Sequence, residues 1–130
     1  MMKNQKPARP TEAELAILQV LWDLGPSTVR QVQDVLESER GTGYTTTLKL
    51  MQIMFEKGIL RRDDSQRSHV YTPAVSRQKT QRHWVGELLE QAFGGSAPQL
   101  VMQALATKKA TVEELKQIRE LIEEMERGNR

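Results

Sequence analysis

Between Thr11 and Pro73 the chain is cut by glycines into three short helix-periodic runs and then switches to strand-like character, and this order of segments limits the fold more than anything else in it. Thr11 stands three residues before Glu14, so a hydroxyl and a carboxylate can satisfy free backbone donors reciprocally at a helix start. Leu15, Leu18, Val20, Leu21 and Trp22 then recur at roughly three and four, and Gly25-Pro26 stops the run. Ser27 or Thr28 caps a second helix with Val29, Val32, Val35 and Leu36 on one stripe, ended by the polar residues 37–43. Residues 44–57 form a third helix with Thr47, Leu48, Met51, Met54 and Phe55 on one face, closed by Gly58. The Met-rich stripe reads as core packing, and Leu50 either packs on the hairpin that follows or sits near a ligand.

Residues 59–62 and 69–72 have strand character, are separated by the polar residues 63–68, and are halted at Pro73, which predicts a β-hairpin with a basic tip. Ser76 opens a fourth helix through Trp84, Val85, Leu88, Leu89 and Phe93, with His83 and Trp84 as a partly buried pair rather than a metal site. Residues 94–98 break it and place a hinge there. Residues 99–106 and a segment from the Thr111–Glu114 capping box to Glu126 are two more helices. The expectation is therefore a mainly α chain with one small hairpin: a flexible N-terminal tail at 1–10, a first domain at 11–75, and a helical linker and association region at 76–130.

A chain of 130 residues, 38% hydrophobic and 28% charged, suits one domain or a small domain with an appendage. It has no cysteine and two histidines, which excludes disulfides, thiolate nucleophiles and Cys-ligated metals, so no cofactor is expected. Without a long apolar run or a signal-like leader, the protein is expected to be cytoplasmic and not inserted in a membrane. The net charge of +2 hides an asymmetry: residues 1–83 carry thirteen basic and nine acidic side chains, and residues 84–130 six and eight.

Three helices followed by a hairpin in a basic stretch are the parts of a winged helix-turn-helix domain in their usual order. A DNA reader needs a helix whose outer face carries short polar or cationic groups for base edges, flanked by donors for phosphates. On the third helix the face opposite the core stripe holds Thr45, Thr46, Lys49 and Ile53. Residues 40–83 set nine basic side chains against Glu56, Asp63 and Asp64, and Arg61, Arg62, Arg67 and His69 lie along the hairpin, where a wing would meet the phosphate backbone. The plainer reading of such a hairpin is a solvated turn, and the order of elements together with the charge asymmetry favours DNA.

The back half offers a way to pair two readers. Leu115, Ile118, Ile122 and Met125 advance by three, four and three, the repeat of a two-helix seam, and Leu100, Val101 and Leu105 complete the same core. Short amphipathic helices need a partner surface. A second copy is favoured over packing onto the first domain, because two readers on a two-fold site gain affinity that one lacks.

The run Pro10-Thr11-Glu12-Ala13-Glu14-Leu15 through Leu21-Trp22, then Thr28-Val29, Tyr44-Thr45-Thr46-Thr47, Lys57-Gly58 and Arg67-Ser68-His69-Val70-Tyr71-Thr72-Pro73, resembles the BlaI/MecI family of penicillinase and methicillin-resistance repressors over nearly the whole chain. The resemblance implies a dimeric winged-helix repressor on a dyad-symmetric operator, held by its third helices and wings, with a C-terminal helical dimerisation region. It adds Thr28 and Tyr44 to the DNA-binding set. In the family's β-lactam branch a membrane sensor protease is the partner that relieves repression, cutting an Asn-Phe bond in the first of the two C-terminal helices. Its counterpart here is Gln103-Ala104. The copper-responsive relatives carry a C-terminal cysteine cluster, which this chain lacks.

The expected function is thus a sequence-specific, homodimeric, non-enzymatic DNA-binding repressor, derepressed by loss of dimerisation. The alternative from another class is a winged-helix assembly module whose basic face binds an acidic protein. A hydrolase would need a nucleophile, base and orienter brought together, and the chain offers no Cys and only His69 and His83 as histidine bases.

Overall fold

The computed structural model describes residues 9–128, and the expected N-terminal tail falls mostly outside them. Helix α1 (Glu12–Leu24) starts as its capping box dictates: the Thr11 N–H donates to Glu14 Oε1 at 3.0 Å and the Glu14 N–H donates to Thr11 Oγ1 at 3.2 Å. It stops at Gly25, whose φ of +86° an L side chain would resist. Of the two candidate caps for α2 (Val29–Arg40), Thr28 takes the role, in a second box with Gln31. Ser27 does something else. Its backbone exchanges two hydrogen bonds with Tyr71, at 3.0 and 2.8 Å, and so adds a one-residue bridge to the edge of the hairpin.

Helix α3 (Tyr44–Glu56) buries Thr47, Met51 and Met54. The Thr47 hydroxyl donates to the Gly43 carbonyl at 3.0 Å, so a polar group sits in the core at no cost in unmade hydrogen bonds. Each buried methionine contributes about 2 kcal/mol of transfer free energy. The core joins them to Ile17, Leu18, Val20 and Leu21 of α1, Val29, Val32 and Leu36 of α2, and Ile59, Leu60 and Tyr71. Leu50 is half-buried and packs against this cluster.

The hairpin pairs β1 (Leu60–Asp63) with β2 (Val70–Pro73) antiparallel, with Arg62 opposite Tyr71 and Leu60 opposite Pro73. Both strands lie one residue later than expected. Pro73 ends the strand from inside it, and the Ala74 N–H reaches past it to the Ile59 carbonyl at 2.8 Å. His69 accordingly belongs to the turn, not to a strand.

Helix α4 (Arg77–Ala92) starts at Ser76, whose hydroxyl accepts from the Lys79 N–H at 3.0 Å. Its first turns are tied to α1: the Trp22 indole donates to the Val75 carbonyl at 3.2 Å, and Arg77 pairs with Asp23 and stacks over Trp22. His83 and Trp84 are both half-buried, and the Arg9 guanidinium lies over the Trp84 ring. The chain divides into two compact units between Val85 and Gly86, inside α4.

The second unit contains the end of α4, then α5 (Ala97–Thr107) and α6 (Val112–Gly128). The break between α4 and α5 uses Gly94 and Gly95, both at positive φ, after which Ser96 caps α5 and Pro98 sits in its first turn. The Thr111–Glu114 box starts α6, with reciprocal bonds of 2.9 and 3.0 Å. No residue described between 86 and 128 is buried.

Candidate nucleic-acid interface

Three elements of the first unit converge on one groove of about 290 Å³. The start of α2 supplies Thr28, Val29 and Arg30, α3 supplies Tyr44, Leu48 and Gln52, and the wing supplies Arg67, Ser68, His69 and Tyr71. Spacing explains the middle set: Tyr44, Leu48 and Gln52 are four apart and share one side of α3. Four residues singled out from sequence, Thr28, Tyr44, Arg67 and His69, are therefore brought together.

Thr45, Thr46 and Lys49 are exposed on α3 but do not line the groove. Ile53, grouped with them by periodicity, is half-buried instead. The exposed face formed by Thr45, Thr46 and Lys49 is thus shorter than the helix and lies in its first two turns, as suits a major-groove reader that enters by its N-terminal end. Gly43 caps α3 without a side-chain hydrogen bond, whereas Thr11 and Thr28 close the starts of α1 and α2.

Strand alternation separates the two arginines of β1. Arg61 is exposed. Arg62 turns inward across the sheet, stacks 4.1 Å over the Phe55 ring and binds Asp64 Oδ1 through Nε at 2.7 Å. Hydrogen bonding to Tyr71, and then to Asp64, holds its pKa above the ordinary arginine value, so the stack is permanently cationic. Asp64 also lies 3.5 Å from His69 Nδ1, which draws the start and end of the turn together. Asp63 accepts from the Ser65 N–H at 2.9 Å, and that bond lowers its pKa and keeps it ionised. The wing is therefore an organised turn whose acids are engaged internally, with Arg61 and Arg67 left exposed.

Arg30 and Gln52 line the same groove and were not indicated by the sequence. Arg30 lies 5.1 Å from the Tyr44 ring centroid, a contact between helices that no local pattern encodes.

In the second unit, Val101 and Leu105 of α5 and Leu115, Ile122 and Met125 of α6 are exposed, while Leu100 and Ile118 are half-buried. Met102 and Leu121, outside the expected seam, are exposed apolar residues as well. Gln103 and Ala104 are exposed within α5. Among the described residues, no group of three or more His, Cys, Asp or Glu side chains is arranged to hold a metal, and no helix is long and apolar enough to cross a membrane.

Comparison with known proteins agrees with this architecture. A family model described as penicillinase repressor matches residues 10–124. The transcriptional regulator BlaI of Mycobacterium tuberculosis is 26% identical over 125 residues, covering 95% of this chain and 90% of that protein. The solution structure of Bacillus licheniformis BlaI, in its monomeric form in complex with the blaP half-operator, aligns with a TM-score of 0.50 at 23% identity over 56% of this chain and 89% of that one. That likeness supports the winged-helix fold of the first unit. Since the family match spans almost the full described length, the chain belongs to the penicillinase repressor family, whose members are transcriptional regulators and not enzymes.

Proposed function

We propose that this protein is a homodimeric repressor that holds a dyad-symmetric DNA operator through α3 and the wing of each copy. The observation that carries this reading is the groove in which the start of α2, one side of α3 and the wing turn place Thr28, Tyr44, Arg67 and His69 together. In the proposed complex, Thr45, Thr46 and Lys49 face base edges and nearby phosphates, and Arg61, Arg67 and His69 hold the backbone beside them. Arg62 acts from behind, as the stiffener of the wing. Phosphate contacts fix register and base contacts supply sequence preference, so the two sets fail differently when mutated.

Dimerisation is assigned to the second unit. Val101, Leu105, Leu115, Ile122 and Met125 are exposed and Leu100 and Ile118 half-buried, and a second copy would bury these side chains by two-fold symmetry. The relative from B. licheniformis was solved as a monomer on a half-operator, which supports one reading head per half-site. Two heads on one dimer raise the local concentration of the second for its half-site. Derepression then follows from any event that separates the copies, and a cut at Gln103-Ala104 by a membrane sensor protease is the route the family resemblance offers.

The test is an anisotropy titration of full-length protein against its own upstream DNA and a scrambled duplex. Lys49→Ala is expected to lose roughly tenfold on the specific duplex and little on the scrambled one. Equal affinities of wild type and variant for both duplexes would move the reading surface off α3.

A further inference from the structure

Arg30 differs from the stacked arginines nearby. Arg62 and Arg77 also lie over aromatic rings, on Phe55 and Trp22, but each is neutralised by a carboxylate, Asp64 and Asp23. Among the described residues, no carboxylate is within ion-pair distance of Arg30. The first two stacks are closed structural contacts. The Arg30 stack keeps its charge for something outside the chain.

Geometry says what that is. Arg30 is the second residue of α2, exposed, at the rim of the groove that Arg67 and His69 also line. A guanidinium held over a ring through its central carbon still has N–H groups to present, a planar fork matched to the oxygens of a phosphate. Tyr44 is the first residue of α3, so the ring carrying Arg30 belongs to the element assigned to the major groove. In helix-turn-helix docking the helix before the reader crosses the DNA backbone. The stack also restricts a long side chain before DNA arrives, which lowers the ordering cost of the contact.

We infer that Arg30, held on the Tyr44 ring, grips a backbone phosphate flanking the bases read by α3, with Tyr44 as its positioning residue. The inference rests on the DNA-reading function proposed above and names a contact within it. It requires coupling: Tyr44 matters largely through Arg30.

The experiment uses full-length protein, a duplex carrying its upstream sequence and an unrelated duplex of equal length, each titrated across a salt series. Arg30→Ala is expected to weaken binding to both duplexes by roughly tenfold and to lower the salt slope by about one ion. Tyr44→Leu is expected to reproduce most of that loss, Tyr44→Phe less because the ring stays, and the double variant Arg30→Ala/Tyr44→Leu no more than Arg30→Ala alone. Wild-type affinity in Arg30→Ala, or additive losses in the double variant, overturns the inference. So does a loss that tracks a lower unfolding midpoint with an unchanged salt slope, because the stack would then only join α2 to α3. Absence of salt-dependent binding by the wild type instead removes the DNA-reading function itself, which separates the two failures.

Discussion

At the scale of single residues, Glu14 shows how one side chain serves two masters. It completes the capping box of α1 and also receives Lys57 Nζ at 2.8 Å from just beyond the end of α3, while its own side chain is 3% exposed. Burial pushes its pKa up, but Lys57 and the Thr11 hydrogen bonds outweigh that, and the net value is below the ordinary 4.5. A carboxylate depressed in the folded state stabilises above its unfolded pKa, and that contribution is lost as pH falls through the folded pKa. Lys57→Met is therefore expected to cost about 2 kcal/mol at pH 7, less than for a fully buried pair because Lys57 is partly exposed. Urea unfolding at pH 7 and again below the folded pKa of Glu14 checks this. The deficit should shrink in acid, and a pH-independent deficit would show that Lys57 acts by packing alone.

At the scale of elements, two of the wing's arginines, Arg62 and Arg67, separate folding from binding. Arg67→Ala should weaken binding to every sequence and flatten the salt slope by about one ion, with the unfolding midpoint unchanged, since Arg67 is exposed at the groove. Arg62→Ala should lower the unfolding midpoint through loss of the Phe55 stack and the Asp64 pair. Paired denaturation and DNA titration distinguish them, and identical behaviour of the two variants would contradict the division. What the sequence disclosed about these elements follows from range. Thr11–Glu14 and Thr111–Glu114 are local boxes, and the helix starts they predict are the ones observed. Glycine stops and the Met51/Met54 stripe are equally local. Ser27 bridging Tyr71, Lys57 reaching Glu14 and Arg30 stacking on Tyr44 join distant positions, so no periodicity announces them. The strand bounds shifted by one because a residue such as His69 fits either a strand end or a turn, and only pairing with the other strand decides. Ile17, which periodicity passed over on α1, is fully buried because packing against α2 and α3 sets the buried arc more finely than a count of threes and fours.

At the scale of the whole molecule, a reading head with its own core is joined through α4 to a unit in which none of the described residues is fully buried. In the proposed dimer such a unit acquires its stability by association, so its folding and its pairing are one event. Ile118→Asp or Ile122→Asp places a charge in the proposed seam and is expected to yield monomers in sedimentation velocity, with a folded head and weak operator binding. A dimer persisting at low concentration would reject this interface. The central claim, that paired heads read a symmetric DNA site, is tested most directly by footprinting the full-length protein on its own upstream DNA with competitor present, across a salt series. The account predicts a protected palindrome whose occupancy falls steeply with salt. Weak, uniform protection at all sequences would contradict it and direct attention to an acidic protein partner for the basic face.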